Sequence, residues 1–247
     1  MSVWTAVFWG GLTSAALYIG QALAGPMAPA RRLTGMVMGF GAGTLLSAVA
    51  YELIPESTIA NGPGIGAGCL LGAFVYFVGD REIDRRGGAD RQALPRRSDP
   101  SDDDGGAGAA MFLGALLDGV PEAFILGIGL ALGGAISVAF VVAVFVSNIP
   151  QGVAGTASLR AAGYTDRHVF GMWTGLTVAC AVVAGLGFVL ADAVPNEGLY
   201  ASAFAAGAVL VMLADSMMPE AFRHGGPAVG LLTVVGYLVA AALAVAQ

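Results

Sequence analysis

Long apolar stretches, separated by short polar connections, follow one another along the chain. A helix needs about 20 mostly apolar residues to cross the hydrocarbon core of a bilayer, and eight stretches approach that length. They cover residues 3–25, 34–57, 63–80, 107–131, 135–159, 168–191, 198–222 and 226–246. None alternates between apolar and polar residues with the period of two that a membrane barrel strand requires. The pattern predicts an all-α integral membrane protein, with eight transmembrane helices in one domain covering residues 1–247.

The amino-acid composition agrees with a chain surrounded by lipid. Of the 247 residues, 57% are hydrophobic and only 11% are charged, whereas soluble domains are about 25% charged. We therefore expect a multi-pass protein of the cell membrane (plasma or inner), surrounded by the lipid bilayer and without a nucleic-acid partner. The N-terminal stretch carries no basic residue, so we interpret it as the first span and not as a cleaved signal peptide. Cys69 and Cys180 lie in separate apolar stretches and are expected to be unpaired.

The arginines predict the orientation of the helices in the membrane. All 11 basic residues are arginines, and each falls in an odd-numbered connection between predicted helices. Because cytoplasmic connections carry the excess of basic residues, the odd connections are expected inside the cell and both termini outside. The longest connection, residues 80–106, is charged and rich in Gly, Pro and Asp. This composition predicts a flexible cytoplasmic loop.

Two pairs of helices carry similar sequences in opposite orientations. Residues 41–57 (GAGTLLSAVAYELIPES) and 205–221 (AAGAVLVMLADSMMPEA) match at an offset of 164 residues, and both copies contain a Pro-Glu step. The fourth and fifth predicted helices carry DGVPEA at 118–123 and SNIPQG at 147–152. Paired segments of opposite direction are typical of inverted repeats, which many transporters contain. The pattern predicts a 3+2+3 inverted-repeat arrangement with the fourth and fifth helices at its centre.

Polar side chains interrupt the fourth and fifth predicted helices near the middle of the bilayer. Asp118 and Glu122 are four residues apart, and Asn148 and Gln151 are three apart, so a helix places each pair on one face. The connection between the two helices is short, which predicts antiparallel neighbours. Each motif also contains a proline, which cannot donate a backbone hydrogen bond and so frees a carbonyl oxygen. These four residues are the candidate metal or cation site.

Two carboxylates within the membrane need a compensating charge. A single carboxylate at the bilayer centre costs about 2.5–3.5 kcal/mol on insertion scales, and no lysine or arginine lies within any predicted span. A mobile cation or protons would remove the penalty; the alternative is that the protonated acids simply hydrogen-bond between helices. Glu52 and Asp215 are candidate accessory or pathway residues, for which a structural interhelical bond is the other interpretation. Solvent exposure is predicted for the residues near span ends, which are Glu56, Glu220, His168 and His224. A metal-release relay is the other interpretation of the two histidines.

The helix count, the long third connection and the paired proline motifs resemble the ZIP (Zrt/Irt-like) metal transporters over the whole chain. The segments TLLSAVAYELIPES and VLVMLADSMMPEA look like the second and seventh helices of that family. The resemblance implies uptake of a divalent transition metal, usually zinc or iron. It also implies a homodimer, and a transport bundle of helices 1, 4, 5 and 6 that moves, elevator-like, against a scaffold of helices 2, 3, 7 and 8.

The chain departs from the family pattern in the motifs that bind metal. Asp118 stands where the HNxPEG motif of the family has histidine, and Gln151 stands where a second glutamate is expected. The resemblance therefore implies a primary site of Asp118, Glu122 and Gln151, with Asn148 beside them. These ligands are all oxygen, which favours harder ions such as manganese or ferrous iron over zinc. No cofactor is expected, and the divalent ion (Zn²⁺, Fe²⁺ or Mn²⁺) is the transported substrate.

Other functions remain open at this level. A membrane metal sensor that binds without transport is one alternative, and a carrier of another cation or of protons is a second. An enzyme is disfavoured, because the chain contains no HExxH or GxSxG motif and no Ser or Cys with a partnering His inside a span.

Overall fold

The computed structural model describes residues 2–27, 30–54, 63–88, 105–131, 138–191 and 198–246. These residues are helical and contain no strand, which confirms the all-α prediction. The long helices, in chain order, are α1 (Val3–Met27), α2 (Arg31–Leu53), α3 (Pro63–Ile83), α4 (Gly105–Ala131), α5 (Val138–Ala161), α6 (Asp166–Leu190), α7 (Leu199–Gly225) and α8 (Ala228–Val245).

Among the described residues, seven helices are long and apolar enough to cross a bilayer, so the chain is a multi-pass membrane protein. These seven helices correspond to seven of the eight predicted spans. Helix α3, which corresponds to the third predicted span, is not among them, and its last residues include Asp80, Arg81 and Glu82. Helix α3 continues past the predicted boundary at residue 80 into a π-helical turn, Asp84–Gly88. The start of the predicted loop 80–106 is therefore helical, and residues 89–104 lie outside the described residues. The predicted end of the second span, with Pro55 and Glu56, also lies outside them.

The helices sort into two groups by their packing. Helix α6 packs along α4 and α1, and α1 packs along α5; together these helices form the first group. Helix α2 packs along α8 and α7, and α3 packs along α7, which gives the second group. The groups meet chiefly where α2 contacts α5 and where α3 contacts α4.

All described arginines lie at one end of the bundle. Gly35 approaches Gly225, so the start of α2 lies beside the end of α7. The Gln21 amide donates to the carbonyl of Asp166 at 3.1 Å, which joins the end of α1 to the start of α6. Helix α3 packs parallel to α7 and brings its own arginines to the same end. The residues concerned are Arg31, Arg32, Arg81, Arg85, Arg86, Arg160, Arg167 and Arg223.

Helices α2 and α7, which carry the predicted repeat, deform at equivalent positions. Each contains a π-helical turn, Val49–Leu53 in α2 and Leu213–Met217 in α7, and the two turns are 164 residues apart. In each case a backbone N–H reaches the carbonyl five residues earlier. In α7 the cause is visible in the sequence, because Pro219 has no N–H to donate to the carbonyl of Asp215.

The repeat extends further than the two segments that predict it. Helix α1 contains WGGLT (9–13), and α6 contains WTGLT (173–177) at the same offset of 164. The two sequences share their tryptophan, second glycine position, leucine and threonine. In α3 and α8, the same offset joins a proline and two glycines: Pro63, Gly66 and Gly72 with Pro227, Gly230 and Gly236. The same offset thus joins short sequence matches in three pairs of helices: α1 with α6, α2 with α7, and α3 with α8.

Glycines allow the outer helix pairs to touch backbone to backbone. A Cβ atom built on Gly43 of α2 would lie 2.0 Å from the carbonyl oxygen of Thr233 in α8. The counterpart of Gly43 in the repeat is Gly207 of α7, where an added Cβ would lie 1.9 Å from the carbonyl oxygen of Cys69 in α3. Helices in lipid associate through such close packing of small residues, since no hydrophobic force drives them together.

We expect alanine at Gly43 or at Gly207 to separate these helix pairs. Overpacking costs about 1–3 kcal/mol where side chains can adjust, and the backbone atoms met here cannot rotate away. The matched control is Gly66→Ala in α3, because an added Cβ there meets nothing within 4 Å. Unfolding of the purified variants in mixed micelles measures the difference. Equal stability of Gly43→Ala and Gly66→Ala would contradict the contact.

Candidate metal site

Helices α4 and α5 carry the predicted polar residues into the interior of the bundle. Asp118, Glu122 and Asn148 are 2%, 4% and 6% exposed, and Gln151 is half-buried. Both helices continue through their prolines, Pro121 in α4 and Pro150 in α5. The one-turn spacing of Asp118 and Glu122 therefore persists, and two acids are stacked on one face within the bundle.

The Asp118 carboxylate accepts hydrogen bonds at both oxygens. The hydroxyl of Tyr76 in α3 donates to Oδ1, and Nε2 of Gln151 donates to Oδ2 at 3.2 Å. Tyr76 is itself buried. Donors at both oxygens satisfy an ionised carboxylate, which is an acceptor only. The sequence predicts the pairing of α4 with α5 but not Tyr76, a single polar group within an otherwise apolar stretch of α3.

Asn148 uses its amide in a different contact. Its Nδ2 donates to the backbone carbonyl of Thr13 in α1 at 3.2 Å. The hydroxyl of Thr13 in turn donates to carbonyls of its own helix, those of Trp9 and Gly10. The amide nitrogen of Asn148 thus fastens α5 to α1, while Gln151 one turn later reaches Asp118.

Glu122 lies at a small cavity between the two helix groups. The cavity measures about 10 Å³, roughly the space open to the centre of one water molecule. Its lining from the first group is Glu122, Ser147, Pro150 and Gln151, and its lining from the second group is Met38, Leu45, Met212 and Met217. The walls are therefore mixed. Three methionines line the same space as Glu122 and Gln151, so the walls of this cavity are not built from oxygen-bearing side chains alone. The prediction of an all-oxygen ligand set stays a prediction.

The two accessory candidates lie away from this cavity. Glu52, on the π-helical turn of α2, is half-buried, and Asp215, on the π-helical turn of α7, is exposed. Neither lines the space beside Glu122. The structure brings together Asp118, Glu122 and Gln151 and leaves Glu52 and Asp215 outside.

The acid and histidine near the end of α7 are not solvated as predicted. His224, whose side chain is 3% exposed, holds Nε2 3.0 Å from Oε2 of the buried Glu220. Arg223 pairs with the other oxygen of Glu220. The last turns of α7 pack on α2, and this packing excludes water from the pair. The prediction of exposure holds for His168, and Glu56 lies outside the described residues.

In the part of the chain that the structure describes, no three His, Cys, Asp or Glu side chains are grouped as a metal-binding cluster. An ion at the α4–α5 site would be held by two carboxylates, with the Gln151 amide, nearby thioethers or water completing its shell. Cys180 of α6 is a free, buried thiol, and an added Cβ at Gly119 of α4 would lie 3.0 Å from its sulfur. Cys69 is free as well, so the prediction of unpaired thiols is confirmed.

We expect Tyr76→Phe to destabilise the bundle more than Tyr18→Phe does. The first substitution removes a donor to a buried carboxylate, a bond worth about 1.5–3 kcal/mol, whereas a bond between neutral groups contributes about 0.5–1.5 kcal/mol. Tyr18 is the matched control, since its hydroxyl bonds the neutral hydroxyl of Thr174 at 3.0 Å. The free energy of unfolding in mixed micelles measures both. A smaller loss for Tyr76→Phe would show that its bond to Asp118 contributes little.

No protein-family model matches the chain, and no curated protein matches it.

Proposed function

We propose that this protein is a ZIP-like transporter of divalent metal cations, which moves its ion through the site between α4 and α5. The observation that carries the proposal is a stacked pair of buried carboxylates, Asp118 and Glu122, inside a multi-pass helical bundle. A carrier needs an ion site within the membrane that is shielded from both faces. The burial of Asp118 and Glu122 within the bundle supports such a site.

The charge of the site favours a divalent ion. Two ionised carboxylates carry −2, and every described arginine lies at the end of the bundle, away from them. Ionisable groups inside a membrane are costly and are typical of ion pathways. A bound divalent cation neutralises both acids at once, and the amide oxygen of Gln151 can supply a further ligand if its hydrogen bond to Asp118 is exchanged.

The position of the site suits alternating access by an elevator-type movement. The cavity beside Glu122 has α4 and α5 on one side and α2 and α7 on the other. Sliding of the first helix group along the second would carry the carboxylates across the membrane while the methionine walls stayed in place. The separate packing of the two groups supports this movement.

The identity of the ion depends on which side of the cavity contributes ligands: the carboxylate and amide of α4 and α5, or the methionines of α2 and α7. Carboxylate and amide oxygens suit manganese, whereas thioethers suit softer ions, and zinc and ferrous iron lie between. We propose the zinc, iron and manganese class as cargo. The small number of acidic and imidazole ligands favours, as a second candidate, a carrier of protons or of another cation.

The full topology is part of the same proposal. Eight spans in a 3+2+3 inverted repeat, with both termini outside the cell, agree with the 164-residue offset, with the equivalent π-helical turns and with arginines at one end. We further propose the cell membrane as its location and a homodimer as its assembled form, without enzymatic activity or a resident cofactor.

We expect Glu122→Gln and Asp118→Asn to reduce metal flux into proteoliposomes at least about tenfold, since even outer-shell partners of metal ligands are worth 10–100-fold in affinity. Both substitutions keep the shape of the side chain and remove its charge. Glu82→Gln is the control, because Glu82 is exposed and lies in the last turn of α3, at the arginine-bearing end of the bundle. A panel of Zn²⁺, Fe²⁺, Mn²⁺ and protons identifies the cargo. Full flux in both variants would exclude these acids from the pathway, and binding without flux in the wild type would identify a sensor.

We expect Gln151→Glu to make the protein depend on metal for stability. The substitution places a third carboxylate where Nε2 now donates to Asp118 at 3.2 Å, so a bond becomes a repulsion that only a cation or proton relieves. In chelator, the thermal midpoint of the variant should be lower than that of the wild type. Added Mn²⁺ or Zn²⁺ should raise the midpoint of the variant by more than it raises that of the wild type. Ala162→Glu, at an exposed position in the turn after α5, is the control for added charge. A variant that is indifferent to metal would show that no ion enters between α4 and α5.

A further inference from the structure

A large open groove lies between α4 and α6 at the arginine-bearing end of the bundle. We name it the α4–α6 groove; it is lined by Phe112 of α4 and by Arg167, His168, Gly171, Met172 and Gly175 of α6. Its volume is about 830 Å³, within the range of about 300–1,000 Å³ that small-molecule sites occupy. Nothing in the proposed transport pathway uses it, since the cavity beside Glu122 has a different lining.

Glycines create the groove. Gly171 and Gly175 are one helical turn apart on the exposed face of α6. A Cβ atom added to Gly171 would meet nothing within 4 Å, and one added to Gly175 would only touch the ring of Phe112, at 3.7 Å. These glycines are therefore not required for close helix packing, unlike Gly43 and Gly207. Their effect is to leave a channel beside Phe112 and Met172.

One end of the groove is cationic. Among the described residues, no carboxylate pairs with Arg167, whereas the neighbouring Arg160 holds Asp166 at 2.7 Å. His168 lies next to Arg167, and its Nδ1 is 2.8 Å from the hydroxyl of Thr165, which fixes the ring at the start of α6. Arg167, which has no carboxylate partner among the described residues, thus lies at the mouth of an otherwise apolar groove.

The other end continues into an apolar strip on the surface of α6. Val178, Val182 and Leu186 follow Gly171 and Gly175 on the same face, and each is more than half exposed. This strip faces the hydrocarbon of a bilayer. A molecule that filled the groove would have its charged part beside Arg167 and an apolar chain along the strip. A small water-soluble anion would match only the first of these surfaces.

We propose that the α4–α6 groove binds an anionic phospholipid, with its phosphate at Arg167 and His168 and an acyl chain along Gly171, Gly175 and Val178. Basic pockets between transmembrane helices at the cytoplasmic side bind anionic lipid headgroups. Charge complementarity selects the anionic lipid over a zwitterionic one. The glycines provide the depth that an acyl chain needs beside Phe112.

Native mass spectrometry of the purified full-length protein tests the site. The probes are phosphatidylglycerol and phosphatidylcholine with identical acyl chains, and each spectrum reports both bound lipids and oligomeric state. We expect retention of phosphatidylglycerol in preference to phosphatidylcholine. Arg167→Gln should lower the affinity for phosphatidylglycerol about fivefold, the worth of one basic residue at an anionic surface, and Arg167→Lys should retain most of it. Gly171→Leu should reduce binding of both lipids by filling the groove.

The control is Arg32→Gln, which removes an exposed arginine at the same end of the bundle but outside the groove. Equal losses in Arg32→Gln and Arg167→Gln would overturn the proposal in favour of general surface attraction. Displacement of the lipid by soluble glycerol phosphate would identify an aqueous anion site instead. A Gly171→Leu variant that changes oligomeric state but not lipid number would show that a second copy of the chain covers the groove. Thermal midpoints near that of the wild type confirm that each variant is folded.

Discussion

Close contact between helix backbones at glycine is the constraint on which the rest of the bundle depends. Gly43 and Gly207 let α2 meet α8 and let α7 meet α3 without intervening side chains. Lipid supplies no hydrophobic force to hold helices together, so packing of this kind must provide the cohesion. Because backbone atoms have no alternative rotamers, these contacts permit one register only. These contacts position α2 and α7, whose side chains line one side of the cavity beside Glu122.

The carboxylate of Asp118 links the two helix groups as well as offering charge. Its partner Gln151 belongs to the same group, but Tyr76 comes from α3 in the other. Any sliding of one group along the other must break the Tyr76 bond while the Gln151 bond can travel with the site. The two hydrogen bonds therefore give the side chain of Asp118 two different roles. In the proposed sliding movement, the Tyr76 bond would hold one arrangement of the two groups, and the Gln151 bond would keep the carboxylate oriented on its own group.

The sequence predicts the helices and the shared face of Asp118 and Glu122, because both depend on local patterns. Apolar length defines the spans, and the four-residue spacing of Asp118 and Glu122 defines their common face. Contacts that join distant helices leave no such pattern. Tyr76 and the methionines beside Glu122 look like ordinary membrane residues until the fold places them. Glu220 illustrates the converse, since a position near a helix end predicts exposure while packing of α7 on α2 buries it.

The constant offset of 164 residues constrains more than the helices themselves. It joins Trp9 to Trp173 in the first helix of each half, the π-helical turns in the second, and Gly72 to Gly236 in the third. Between the first and last of these positions, neither half has a net gain or loss of residues relative to the other. The matched residues therefore stay the same number of positions apart in both sets of helices. The helix bounds do not follow the offset, since α1 ends at Met27 and α2 begins at Arg31, whereas α6 ends at Leu190 and α7 begins at Leu199. The spacing of the matched residues is thus more constant than the points at which the helices begin and end.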